Sequence, residues 1–138
     1  MPIVPDVKDW TWVLSRPCPE CGFDAAATTY EAVPALIRET AVRFAAVLRR
    51  PGVRVRPDQS TWSALEYGAH VRDVCRMSDT RLGLMLAGDP EGEPPRFQNW
   101  DQDATAEADR YNEQDPARVA QEFAEAAERA ARSARCAQ

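Results

Sequence analysis

The sequence predicts an all-α, up-down helical bundle, and three observations predict it. Apolar residues recur at three- and four-residue steps along three long stretches. Each stretch opens on a helix-start signal, and the first two stop at Gly and Pro. Nothing alternates for long enough to make a sheet; Val53 to Pro57 alternates apolar and basic residues but is too short. At 138 residues the chain makes one domain. Residues 1–29 read as an N-terminal extension and 30–138 as the bundle.

The extension carries Trp10, Trp12, Val13 and Leu14, then the run Pro17-Cys18-Pro19-Glu20-Cys21-Gly22. Pro17 and Pro19 preclude a regular helix there. The first long helix is expected near 30–50. Thr28 and Glu31 have capping-box spacing, and Pro34 suits only a first turn. Val33, Leu36, Ile37, Thr40, Phe44, Val47 and Leu48 share a face, and Arg50-Pro51-Gly52 ends the helix.

The second helix, near 63–87, has the clearest start: Ser63 as N-cap and Glu66 completing a capping box, with Trp62 just outside. Tyr67, Val71, Val74 and Met85 mark its expected inner face, widened by Leu82, Leu84 and Leu86. Gly68 and Gly83 cost about 1 kcal/mol each against alanine, and either lets a neighbouring helix approach. Gly88-Asp89-Pro90 stops it.

Residues 89–114 read as a long connection rich in Pro, Gly and Asp, pinned by Phe97 and Trp100; a loop that long is often functional. The third helix, near 116–135, opens with Asp115 as N-cap and Pro116 at the first helical position. Val119, Phe123, Ala126, Ala127, Ala130 and Ala134 give it a narrow, alanine-rich face. Such a face looks like a surface awaiting a partner, either another helix or another subunit.

The charge of −5 disfavours a nucleic-acid grip, which needs a basic face. The patch Arg49, Arg50, Arg54 and Arg56 can be read as an anion site or as a solvated rim. No apolar run approaches the roughly 20 residues of a membrane span, and Met1 to Lys8 lacks a secretory pattern. A cytoplasmic location with reduced cysteines is expected.

His70 is the single histidine. On a helix, Glu66 and Tyr67 lie one turn before it and Asp73 and Val74 one turn after. Sharing a face with Tyr67 and Val74, it is expected to point into the bundle. A neutral imidazole there can bind metal, with Glu66 or Asp73 orienting it; the bland reading is a core histidine bonded to Tyr67 or a carboxylate. Cys18 and Cys21 form a CxxC in a tight turn: a structural turn with reduced thiols, half of a metal site, or a redox pair. Asp101 and Asp103, beside Trp100, can assist a metal or polarise a water, or simply form a solvated turn.

Trp62-Ser63, Glu66, His70 and Asp73 resemble the second-helix signature of the DinB/YfiT-like superfamily. The resemblance runs from about Tyr30 to Arg135. Asp9-Trp10-Thr11-Trp12-Val13-Leu14, Cys18 to Asp24, Asn99-Trp100-Asp101-Gln102-Asp103-Ala104 and Tyr111 resemble an actinobacterial branch of it. The resemblance implies a four-helix bundle in which three histidines hold a divalent metal, zinc or nickel. One of these sits on the second helix and two lie a turn apart on the fourth. His70 matches the first; the other two have no counterpart, so the chain reads as a member lacking its C-terminal fourth helix. The implied activity is that of a metal-dependent S-transferase acting with a low-molecular-weight thiol, the metal lowering the thiol pKa. The resemblance also sets Trp100, Asp101 and Asp103 near the mouth of the site.

The alternative is a non-catalytic helical module that binds a small molecule or self-associates, the metal site being incomplete in this chain. A homo-oligomer is expected, because a bundle short of one helix exposes apolar surface. Ile37, Phe44, Leu48, Val119 and Phe123 are the candidate strip. Trp10 to Leu14, folding back, is the competing cover.

Overall fold

The computed structural model describes residues 2–138; Met1, the start of the extension, lies outside the described residues. The chain is an all-α bundle of four helices: α1 (Val33–Leu48), α2 (Ala64–Ala87), α3 (Gln102–Ala108) and α4 (Pro116–Cys136). Single 3-10 turns lie at Thr11–Leu14, Tyr30–Ala32 and Tyr111–Glu113. The three long helices fall where the periodicity sets them.

Two of the three start signals work as read. The Ser63 hydroxyl accepts from the Glu66 N–H, and the Glu66 carboxylate accepts from the Ser63 N–H at 2.8 Å, a complete capping box. Asp115 caps α4 by accepting from the Ala117 N–H, with Pro116 in the first turn. The Thr28–Glu31 box does not form. The Thr28 hydroxyl donates instead to the Asp24 carbonyl, and α1 is entered through the Tyr30–Ala32 turn. The helix α3 lies inside the stretch read as a loop. Its signal is the Asp101 N-cap, which accepts from the Ala104 N–H. Ala104, Ala106 and Ala108 carry too little apolar contrast for periodicity to mark a helix.

The helix α4 is the centre of the bundle. It packs along both α1 and α2, whereas α1 and α2 touch each other only sparingly. Of the two partners open to its alanine face, helices of the same chain cover it: Ala126, Ala127, Ala130, Ala131 and Ala134 are all buried. Methyl side chains let two helices close on a third from both sides, and close packing replaces large buried area. Phe123, on the same face, meets Phe44 of α1 with ring centroids 5.5 Å apart. One meeting point of α1 and α2 is Leu48 over Gly68, where a Cβ would stand 3.2 Å from the leucine methyls. That glycine admits the close approach; Gly83 has nothing near it.

The inner face of α2 differs from the expected one. Leu65, Gly68, Ala69, Arg72 and Cys75 are buried, while Tyr67, Leu84, Met85 and Leu86 are exposed. The core stripe is rotated because Arg72 occupies a core position, where a charged residue hides the period from an apolar pattern. The strip expected to be bare is also largely internal: Leu48, Val119 and Phe123 are buried and Ile37 and Phe44 half-buried. The open apolar groove lies instead between α1 and α2, walled by Ile37, Thr40, Val71, Val74, Cys75 and Ser78. The segment Trp10 to Leu14 does not line it. Among the described residues no helix is long and apolar enough to cross a membrane.

Candidate functional site

His70 lies on the flank of α2, half-buried, and not in the seam between the long helices. Its imidazole is held between two indoles. Trp100 stacks on it almost in parallel, 9° between planes and 5.3 Å between centroids. Trp62 meets it at 60° and 4.9 Å. Trp62 is itself met edge-on by Tyr67 at 5.4 Å. Local structure fixes each ring. Trp62 precedes the Ser63 cap and is buried in the core. Trp100 precedes the Asp101 cap of α3, and its Nε1 donates to the Thr105 hydroxyl at 2.8 Å. The guanidinium of Arg81 pins the preceding loop, lying over the Phe97 ring at 4.9 Å and donating to the Gln98 carbonyl.

Two polar atoms here are buried without a hydrogen-bond partner among the described residues: Nδ1 of His70 and Nε1 of Trp62. Burying a donor or acceptor unpaired costs about 1–3 kcal/mol, and native interiors rarely leave such atoms unexplained. Burial pushes the His70 pKa down; the Asp73 and Asp103 charges pull the other way without prevailing. Burial therefore favours the neutral form of the His70 imidazole.

Beside these rings opens a cavity of about 230 Å³. Its wall joins Tyr67, His70 and Trp62 to Asp103 of α3 and to Asp6 and Trp10 of the N-terminal segment. Asp6 accepts from the Lys8 N–H and from Trp10 Nε1, each at 2.9 Å, and these bonds, the first above all, hold its carboxyl below the ordinary range. Two carboxylates and three large rings face the cavity; among the described residues no lysine or arginine lines it, while the Lys8 ammonium stands 5.7 Å from the Trp10 ring centroid.

The other residues marked in the sequence have different employment. Glu66, 2 % exposed, is bound to its own cap and to Arg56, whose Nε donates to it at 2.9 Å. Burial alone would raise its pKa, but the Arg56 ion pair and the Ser63 bond outweigh that and leave it lowered. It does not orient His70. Asp73 turns away into a buried network. It accepts from Arg72 Nε at 2.9 Å, from Arg76 and from the Tyr111 hydroxyl at 2.5 Å. Arg72 also reaches Gln114 at 2.8 Å, and Arg76 reaches Glu122 at 2.9 Å. Burial and the Asp73 carboxylate push the Tyr111 pKa far up. Asp73 acts on His70 only through its charge. Asp101 serves as the α3 cap. Of the arginine patch, Arg54 donates to the Asn112 carbonyl at 2.7 Å and Arg56 is paired with Glu66, so these two are engaged within the chain.

Cys18 and Cys21 stand apart from His70, in the turn after Thr11–Leu14. The Cys18 N–H donates to the Phe23 carbonyl and the Gly22 N–H to the Cys18 carbonyl at 2.9 Å, closing a tight loop. Gly22 is left-handed at φ 76°, a conformation that favours glycine. Backbone N–H groups of Cys21 and Glu20 hold the Cys18 thiol below its usual pKa. All four cysteines are free.

Among the described residues no group of three or more His, Cys, Asp or Glu side chains is placed to hold a metal ion. The orphaned His70 Nδ1 has the chemistry of one ligand, but Glu66 and Asp73 are committed elsewhere, so the residues around it do not fit a divalent ion by themselves. The contribution of the N-terminal segment, Asp6 above all, has no signal in the sequence. Comparison with protein-family models, with curated proteins and with solved structures finds no match to this chain.

Proposed function

We propose that this chain is a helical-bundle module that binds a small organic cation in the aromatic pocket beside His70. The observation that carries the reading is the pocket wall: Trp10, Trp62 and Tyr67 with the carboxylates of Asp6 and Asp103, and no basic side chain among them. Aromatic faces attract a cation through the ring quadrupole, by about 0.5–2 kcal/mol each. Two nearby carboxylates add Coulomb attraction, and the neutral His70 does not oppose it. The chain's own Lys8 already uses the Trp10 ring this way, its Nζ 5.7 Å from the centroid. The pocket volume suits a group of a few heavy atoms, such as a quaternary ammonium.

Choline and its neutral isostere 3,3-dimethyl-1-butanol test this, followed through the indole N–H resonances of Trp10 and Trp62. Saturable shifts with choline, absent with the isostere and weakened at least fivefold in Asp103→Asn, support the reading. Equal binding of both makes the pocket merely apolar, and binding of neither ends the proposal.

A second reading keeps the DinB-like transferase, with a divalent metal and a low-molecular-weight thiol as co-substrate. One observation favours it, the buried and unbonded Nδ1 of His70. It requires metal ligands beyond the described residues. Metal retention by the wild type that falls in His70→Ala is its test. Self-association is favoured by the groove between α1 and α2, and a cytoplasmic setting by four unpaired cysteines.

A further inference from the structure

We infer that the organic cation taken by this pocket carries a hydroxyl group, and that Trp62 and His70 select for it; the inference rests on the cation pocket proposed above. Two nitrogens carry it. Nε1 of Trp62 and Nδ1 of His70 are buried and find no hydrogen-bond partner among the described residues. They belong to neighbouring rings, whose centroids stand 4.9 Å apart at 60°. Both residues line the cavity that Asp6 and Asp103 also line. Trp62 is only 5 % exposed. It also lines a second cavity, of about 160 Å³, with Ile3 and Asp103 common to both, so its indole borders open space although it is buried.

The two nitrogens ask for one kind of atom. An indole N–H only donates. A neutral imidazole keeps one bare nitrogen, which accepts. No partner among the described residues holds a proton on Nδ1, so Nδ1 is free to be that nitrogen. One oxygen that accepts from Trp62 and donates to His70 satisfies both. An ammonium N–H cannot accept. A carboxylate cannot donate, and Asp6 and Asp103 repel it. A hydroxyl does both. Cation and hydroxyl must share a cavity of about 230 Å³, so the ligand class is a small hydroxylated ammonium. Both nitrogens are closed to bulk water, so the hydroxyl reaches them through a small turn of the two rings. Bonds made there relieve polar groups that are otherwise buried unpaired, which is what makes them selective.

The experiment keeps the charge and removes the hydroxyl. Choline is titrated into the full chain beside propyltrimethylammonium, its isostere with a methyl in place of the hydroxyl. The indole N–H resonance of Trp62 and the ring resonances of His70 report binding. Choline should bind about fivefold tighter than the isostere, and it alone should move the Trp62 N–H and His70 signals together. In His70→Phe the ratio of the two affinities should fall at least threefold, a ratio that uniform damage to the pocket does not move. The ligand comparison needs no variant, so it stands even where His70→Phe fails to fold. Equal affinity for the two cations leaves the pocket reading standing and overturns this inference, any oxygen between the rings then being that of water. A choline preference undiminished in His70→Phe overturns it as well, because the hydroxyl is then held elsewhere. Binding of neither cation removes the pocket reading and this inference together.

Discussion

Two polar clusters lie within one turn of each other on α2, around His70 and around Arg72, and they are built on opposite principles. Around Arg72, every polar atom has an employer: Asp73, Gln114, Tyr111, Arg76 and Glu122 interlock in a network spanning α2, the Tyr111 turn and α4. Around His70, the aromatic rings are well packed but Nδ1 of His70 and Nε1 of Trp62 find no hydrogen-bond partner among the described residues. The first cluster holds helices together. The second keeps hydrogen-bonding capacity in reserve at the edge of a cavity. A buried polar group is therefore informative through its partners, not through its burial: satisfied ones explain stability, and orphaned ones mark where a ligand is to be sought.

The comparison breaks most sharply at Arg72. Arg72→Ala removes the guanidinium, only 4 % exposed, that donates to Asp73 and Gln114, and leaves Asp73 with Arg76 and Tyr111 alone. Removing one partner of a buried pair costs about 3–5 kcal/mol, and urea unfolding should show a midpoint lowered accordingly. A loss under 1 kcal/mol would mean that the network is ornamental. Tyr111→Phe removes one bond to the charged Asp73 and keeps the ring. The expected loss is about 1.5–3 kcal/mol, read in the same titration.

The pH dependence separates the two clusters without mutation. The folded His70 binds a proton less readily than the unfolded chain does, because burial lowers its pKa from the ordinary 6.5. Its contribution is complete above that value and is lost as pH falls through the lowered folded value. Asp73 and Glu66 also have lowered pKa values, from ordinary values of 3.8 and 4.5, so their contribution is lost only in more acid solution. Unfolding free energy against pH should fall in two stages, and the first should vanish in His70→Phe. The smallest effect is that of His70→Phe on stability at pH 7.5. The ring can keep its stack on Trp100, and the orphaned nitrogen disappears; exchange for an apolar group of the same shape is close to neutral, within about 1 kcal/mol. A loss as large as that of Arg72→Ala would mean that the His70 nitrogen has a structural bond and that the two clusters are alike.

Much of the bundle was legible because its signals are local. The Ser63–Glu66 box and the Asp115–Pro116 start need only residues within one turn, and the apolar spacing of α1 and α4 is read directly along the chain. His70 stood out as a lone histidine among Glu66, Tyr67 and Asp73. Its surroundings did not, because they are assembled from distant parts of the chain: Trp100 from before α3, Asp6 and Trp10 from the extension, Trp62 from outside the α2 cap. Glu66 and Asp73 have the spacing of histidine partners, yet Arg56 and Tyr111 reach them first.

The sequence by itself determined where the long helices start, that they are amphipathic, that one histidine sits on the second, and that two cysteines share a turn, since each depends on neighbours within a few residues. Only the tertiary structure decided which way α2 faces, that α4 occupies the centre, and which polar atoms find partners. The reason is physical. A charged residue such as Arg72 can occupy a core position only if groups remote in sequence neutralise it, and an alanine face is central or bare according to whether two other helices close upon it.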